Sequence, residues 1–436
     1  MTGWAIAAVV AVLSQAVPEP RPVTPPTEAS VARFQIGGDV SFVADALPRM
    51  NAIELRPQAS IEATMRLSRL WRARFEGFAE ALVADRDGSV TAGVLRAREA
   101  WIELAGSRGD IRVGYGRLVW GRLDEIQPSD VINPIDASRF LFDGRNAARL
   151  PVALVRGRIF ASEGLTIEGV MAPVFRRGTF DELDEPTSPF NLTNDLILPA
   201  GVIALSELGI DRREPATNWS NVSGGGRVSA TIGRVDVAAG AYRGWEGFGT
   251  LSFEPFSLPA SVPSVPFVVG RLVEQFPRFT MVSADFETVV GKWAIRGETA
   301  VFVEKTFQGA SAPGPVRGRA VDAGVGFDHG TEHVRLFGSV LLHRQWSDAD
   351  ATIDLTDVTA IGSIERDFGR ERYLGRVFGA WTPTDRSGFL RGLFTWNVRD
   401  NVAVEASAAV FVGDGDTQLA RFHGRDFVLT RLRLSW

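Results

Sequence analysis

The 436-residue chain contains no cysteine. That excludes disulfides, thiolate metal sites and a cysteine nucleophile, and leaves the compartment open. Histidine is scarce, at His329, His333, His343 and His423 only, so little material exists for an imidazole metal centre. No metal and no cofactor is expected. Lysine stands only at Lys292 and Lys305, so nearly all positive charge is arginine. Guanidinium suits paired charge in a crowded interior, although a base-composition bias of the gene explains the same excess more simply. The net charge of −5 and the lack of a basic cluster argue against a nucleic-acid partner. Long apolar runs are also missing. Beyond the N-terminus none approaches the ~20 residues of a membrane-crossing helix, because charges interrupt every stretch. A helical membrane protein is excluded; a chain that crosses with strands is not.

The N-terminus reads MTGWAIAAVVAVLSQAVPEP. Trp4 to Leu13 has the length of a signal-peptide core, and Ser14 and Ala16 occupy small-residue positions before a cleavage point. The stretch lacks the usual Lys or Arg ahead of that core. Residues 1–16 are read as an export signal and the Pro-rich 17–32 as an extended leader.

From residue 33 the dominant period is two. Ile53, Leu55, Ala59, Ile61, Ala63 and Met65 share one face, while Glu54, Arg56, Gln58, Glu62, Thr64 and Arg66 share the other. The same alternation recurs along Trp71 to Leu82, Trp293 to Glu304, Val334 to His343 and Val402 to Val412. A phase slip at Arg98-Glu99 reads as a β-bulge. Many strands run to ten residues or more, longer than in most soluble sheets, and their polar faces carry both signs of charge. Short turns follow every second strand, and long loops (121–149, 176–219 and 250–276 foremost) fill alternate gaps. This is the asymmetry of a closed antiparallel transmembrane β-barrel over 33–436, with apolar residues outward and polar residues toward the lumen. About 18 strands are expected, or 16 if the weakly patterned 354–367 and one other are lost. Trp71, Trp101, Trp293, Tyr373 and Trp381 suit interfacial girdles.

Inward projection gives Arg56, Arg72, Arg74, Arg96, Arg98, Arg112, Arg117, Arg156 and Arg158 as pore-lining candidates, interleaved with Glu54, Glu62, Glu76, Glu80 and Glu103. The pattern fits either a stiffening ladder of ion pairs or a selective lining. Loop 121–149 places Asp124, Glu125, Asp130, Asn133 and Asp136 around Pro128 and Pro134. It is read either as a constriction folded into the lumen or as a solvated external loop with Asx-turns. Its acidic density lacks the spacing of a Ca²⁺ loop.

The stretch GYGRLVWGRLDEIQPSDVINPID resembles the signature of a largely uncharacterised family of bacterial outer-membrane barrels, W-G-x-x-[DE] followed by D-x-x-N-P-x-D. The matching positions are Trp120, Gly121, Asp124 or Glu125, then Asp130, Asn133, Pro134 and Asp136. The family often accompanies exporters of lipid-like molecules. The resemblance therefore implies a transport role and an export partner in the periplasm or inner membrane, with no catalytic residue carried over.

The expected function is an outer-membrane, porin-like channel for small polar or amphiphilic solutes, not an enzyme. The alternative is the barrel of an export or assembly complex. A lipid hydrolase ranks last: His333 and His343 share a face and Asp328 adjoins His329, but no serine completes a triad. The last strand, FVLTRLRLSW, puts Val428, Leu432 and Leu434 toward lipid and Arg431 and Arg433 toward the lumen. It is expected to pair back to the first strand near 31–44. Trp436 resembles the C-terminal signal read by barrel-assembly machinery. Membrane lipid, that machinery and permeating solutes are the expected partners.

Overall fold

The computed structural model describes residues 33–85, 89–179, 202–204, 210–256, 268–309, 314–369, 372–413, 419 and 422–436. The signal and leader expected at 1–32 lie outside them. In chain order the strands are β1 (Arg33–Leu47), β2 (Ala52–Arg66), β3 (Trp71–Asp85), β4 (Ser89–Ala105), β5 (Gly109–Gly116), β6 (Val152–Ser162), β7 (Leu165–Ala172), β8 (Val202–Ala204), β9 (Asp211–Arg213), β10 (Ser223–Ile232) and β11 (Val235–Trp245). They continue as β12 (Thr250–Pro255), β13 (Val268–Gln275), β14 (Arg278–Val290), β15 (Trp293–Gln308), β16 (Pro315–Gly330), β17 (Val334–Trp346), β18 (Leu355–Phe368), β19 (Tyr373–Thr382), β20 (Ser387–Arg399), β21 (Val402–Val412) and β22 (Phe427–Ser435).

Eighteen of these form one antiparallel sheet that closes on itself. Successive strands pair in order, β7 joins β10, β11 joins β14, and β22 returns to β1. Closure leaves no strand edge unpaired, the condition for a sheet to stand in hydrocarbon. The poorly patterned 354–367 is an ordinary wall strand, β18, paired on both sides. Three strands stop short of the loops expected to begin at 121, 176 and 250: β5 at Gly116, β7 at Ala172 and β11 at Trp245. The stretch 250–276, expected as loop, contains a hairpin of β12 and β13 flanked by β8 and β9. Arg213 and Arg271 converge on Glu254 there, and the Arg213 hydrogen bonds hold that carboxyl below its usual range.

Most of the outer wall is apolar. Phe42, Ile61, Phe75, Ile159, Val325, Val340, Leu390 and Val410 all stand exposed on it, a surface suited to hydrocarbon rather than water. Trp71, Trp293, Tyr373 and Trp396 mark it near the short-turn end, and Trp381 near the long-loop end. Trp101 departs from the expected girdle. The bulge falls at Arg98, where Glu76 faces Glu99 but Gly77 faces Ala97. Beyond it Trp101 shares the lumen side with Glu103, donating to Glu99 (3.1 Å) under the Arg112 guanidinium (3.8 Å from the ring).

The closing seam pairs Asp39 with Ser435 through to Ala46 with Val428. Trp436 extends it: its N–H donates to the Gly38 carbonyl (3.0 Å), whose own N–H donates back (3.3 Å). The indole lies over Gly38, where a Cβ would meet it at 2.5 Å, so only glycine fits. Deleting Leu434 to Trp436 removes these last rungs. In detergent refolding, the full chain should give the faster-migrating folded band on unheated gels and the truncation should not. Equal folding of both would contradict closure through this seam.

Candidate functional site

Segment 117–151, between β5 and β6, folds into the barrel. Asn133 ties its two ends together: its Oδ1 accepts from the Leu118 N–H (2.8 Å), and its Nδ2 donates to the carbonyls of Leu150 (2.9 Å) and Gly116 (3.3 Å). Backbone bonds from Leu150 to Pro134 and from Asp136 to Ala148 close the base. Between them lie two short helices, α1 (Ala137–Asp143) and α2 (Arg145–Ala148).

On the far wall, one carboxylate gathers four donors of this segment. Glu298 of β15 is 4% exposed and accepts four hydrogen bonds. Arg122 N–H (2.9 Å) and Leu123 N–H (3.2 Å) reach one oxygen; Ser129 N–H and hydroxyl (both 2.7 Å) reach the other. Gly121 lets the chain approach. Its φ is +103°, and a Cβ there would sit 2.5 Å from Glu298 Oε1. Arg122 adds side-chain pairs to Asp285 (2.7 Å) and Glu287 (2.9 Å), and the Trp120 indole N–H donates to Glu168 (2.7 Å).

Three of the acidic candidates, Asp124, Glu125 and Asp130, meet arginine. Asp124 pairs with Arg296, and Glu125 with Arg376 at 2.9 Å. Asp130 binds Arg145 (2.9 Å) and Arg149 (2.8 Å) within the segment, all three buried. Removing Asp130 costs roughly 3–5 kcal/mol, since both buried guanidinium groups then lose this counter-charge. Asp136 is buried where its backbone bridges toward Thr179 and Ala148. The end of α1 is fixed by Arg391, which donates to the Phe142 carbonyl (3.0 Å), and by the Arg431–Asp143 pair.

The arginine candidates divide by what surrounds them. Arg72 and Arg74 face the lumen with side chains 49% and 30% exposed, and Arg158, beside Asp110 (2.6 Å), keeps 35%. Arg117 bonds Glu76 (3.2 Å), while Arg112 and Arg156 converge on Glu103 (2.7 and 3.2 Å). Arg98 and Arg96 lie over the Phe78 ring at 3.6 and 5.1 Å. Arg56 points inward too, but Glu54 (3.0 Å) and Glu80 (3.1 Å) enclose it to 2% exposure, so it offers water almost no surface.

Reading residues one strand at a time missed the apolar part of the lumen. At the long-loop end, Phe378, Phe389, Phe411, Phe427 and Leu429 face inward and pack with Phe140, Phe142 and Leu123 of the segment. Phe142 meets Phe427 at 4.7 Å. The signal was present: β20 and β22 carry large apolar residues on both faces at that end, which a water-filled lumen does not ask for. Glu298 was visible only as one more polar-face residue.

His343 and His333 do not come together. His343 faces inward, its Nδ1 2.5 Å from Asp322 and its Nε2 3.2 Å from the Gln345 side-chain oxygen; His333 lies at the short-turn end beside Asp367. An amide therefore occupies the position a nucleophilic hydroxyl would need beside His343. A cavity of 540 Å³ lies between this wall and the segment, lined by Ile132, Tyr242, Phe279, Phe302, Lys305 and His343 among others.

No family model matches the chain, and no curated protein sequence does. Among solved structures, Pseudomonas aeruginosa OpdK with vanillate is 10% identical over 93% of this chain and 98% of that one, with a TM-score of 0.50. A second P. aeruginosa structure, OccK1 (OpdK), is 9% identical over the same shares, with a TM-score of 0.49. An anion-selective porin from Comamonas acidovorans is 11% identical, over 93% and 100%, with a TM-score of 0.41. The OpdK likeness is one of barrel fold.

Glu298→Ala should release the segment while the barrel stays closed. Losing hydrogen bonds to a charged acceptor, worth about 1.5–3 kcal/mol each, should raise proteolytic cleavage within 121–136 by at least ~10-fold. Gly121→Val should do the same. Unchanged cleavage in both would remove Glu298 as the anchor.

Proposed function

We propose that this chain is a porin-like channel of a bacterial outer membrane, passing small polar or amphiphilic solutes through a charged, partly occluded lumen. The single observation that carries the proposal is a closed cylinder, apolar outside, whose interior holds charged side chains and a segment latched across it. The closed pairing of β22 with β1 supports a wall without a free edge. On this reading residues 1–16 direct export, residues 17–32 are a leader, the long loops face outward from the cell, and Trp436 is read by the barrel-assembly machinery.

The solute path follows the water-facing arginines and carboxylates of β2 to β6, with Arg72, Arg74, Glu62 and Arg158 among its exposed or half-exposed charges. The segment narrows the lumen, and its carboxylates balance wall arginines at the narrowing. A role in export of lipid-like cargo, implied by the resemblance around Trp120 to Asp136, is the alternative; no contact described above favours it. Lipid hydrolysis has less support still, because Nε2 of His343 meets Gln345.

Purified protein in a planar bilayer should give discrete ion-conducting steps. Replacing Asp124, Glu125, Asp130 and Asp136 with their amides removes the segment's carboxylates from beside Arg296, Arg376, Arg145 and Arg149, while Arg296 keeps Glu287 (2.9 Å). Reversal potentials should then move toward anion preference. A folded barrel that never conducts would overturn the channel reading, and unchanged selectivity would take the segment out of the ion path. His343→Ala should leave conductance intact and create or abolish no lipid hydrolysis.

A further inference from the structure

At the long-loop end, the outward face of the wall is apolar on most strands, as at Phe42 of β1, Leu390 of β20 and Val410 of β21. One sector differs. On β16, Ala320 and Asp322 are buried inward, so Arg317 and Arg319 point outward with the exposed Val325 and Phe327. On β17, Leu341 and His343 face inward, so Arg344 points outward with the exposed Val340 and Leu342. The register sets Arg319 opposite Trp346 and Arg344 opposite Val321. Adjacent strands stand about 4.8 Å apart, so the three guanidinium groups lie within reach of one small anionic group. Arg344 donates to Thr356 (2.8 Å). Among the described residues no carboxylate is paired with any of the three; the outward Glu304 of the adjacent β15 pairs instead with Arg243 of β11 (3.3 Å).

Their height on the wall gives the cluster a meaning. From His329, level with the Trp293 girdle, to Arg319 is ten residues along β16. At about 3.3 Å per residue and a tilt of about 40°, this is a rise of about 25 Å, the height of the apolar band of a membrane barrel. The arginines therefore stand at the upper edge of the band, with their stems over apolar wall and their charges at headgroup depth. An uncompensated arginine set at that depth calls for phosphate, which guanidinium binds in a fork.

We infer that Arg317, Arg319 and Arg344 form a lateral site for the phosphate-bearing headgroup of an outer-leaflet glycolipid, whose acyl chains lie along Val321, Val325 and Leu342. The inference rests on the membrane placement proposed above, and it concerns the outside of the barrel rather than its lumen.

The test is native mass spectrometry of the full chain in detergent. The probes are lipid A with two phosphates, the same lipid with its phosphates removed, and phosphatidylethanolamine. The wild type should retain the phosphorylated form at least ~10-fold better than either other lipid. Arg317→Gln, Arg319→Gln and Arg344→Gln together should abolish that preference, and Arg366→Gln, an exposed arginine near the short-turn end, should not. Equal retention of the phosphate-free lipid by the wild type would overturn the inference even if the triple variant failed to fold. So would full retention by a folded triple variant. Bilayer conductance of the same samples reports separately on the channel: a wild type that binds the lipid selectively but never conducts contradicts the channel reading and leaves this site standing.

Discussion

The carboxylate of Glu298 is the contact on which the interior depends. It sits on β15, yet its four donors all belong to segment 117–151, which leaves the wall after β5. A buried carboxylate loses several kcal/mol of hydration. Here that loss is offset by hydrogen bonds on both oxygens, from three backbone N–H groups and one hydroxyl. The same contact requires glycine at 121, because the approach leaves no room for a Cβ. Arg122, held beside it, ties Asp285 and Glu287 of β14 to the same point.

Once the segment is fixed there, the rest of the lumen follows. Its carboxylates meet Arg296 on one side and Arg376 on another, so the segment is latched across the cylinder rather than hinged at one wall. Its apolar side, with Leu123, Phe140 and Phe142, turns to the inward phenylalanines of β19 to β22. The lumen is thus part core and part charged, water-facing space. Burial and ion pairing hold the segment, and the exposed Arg72, Arg74 and Glu62 remain facing water on the other side.

The walls were legible in the sequence because a two-residue period survives every local change of residue type. Even the bulge at Arg98 showed as a slip in that period, and the structure places it there. Strand ends were less legible. The pattern of Leu118 and Trp120 continues β5 on paper, but Asn133 captures the Leu118 N–H and turns the chain inward. The anchoring role of Glu298 was not legible, since it joins residues about 170 positions apart and alternation reports only which face a residue occupies. The aromatic residues on the inward phase of β20 and β22 were the available clue to the infolded segment. The Trp120 to Asp136 element is now explained physically: each polar residue in it is spent on a latch, a turn or a base-closing bond.

The absence of cysteine offers a direct test of that placement. Leu123 lies against Gly324 and Gly326 of β16, with Leu123 Cδ2 3.2 Å from where a Gly326 Cβ would stand. In the Leu123→Cys, Gly326→Cys double variant, a short thiol-specific cross-linker should join the two positions in the folded protein and shift its mobility after denaturation. An Asp39→Cys, Ser435→Cys pair across the closing seam serves as the positive control. Efficient linkage at both pairs is the result expected if the segment is latched inside a closed barrel. Linkage at the seam with none between 123 and 326 would contradict it.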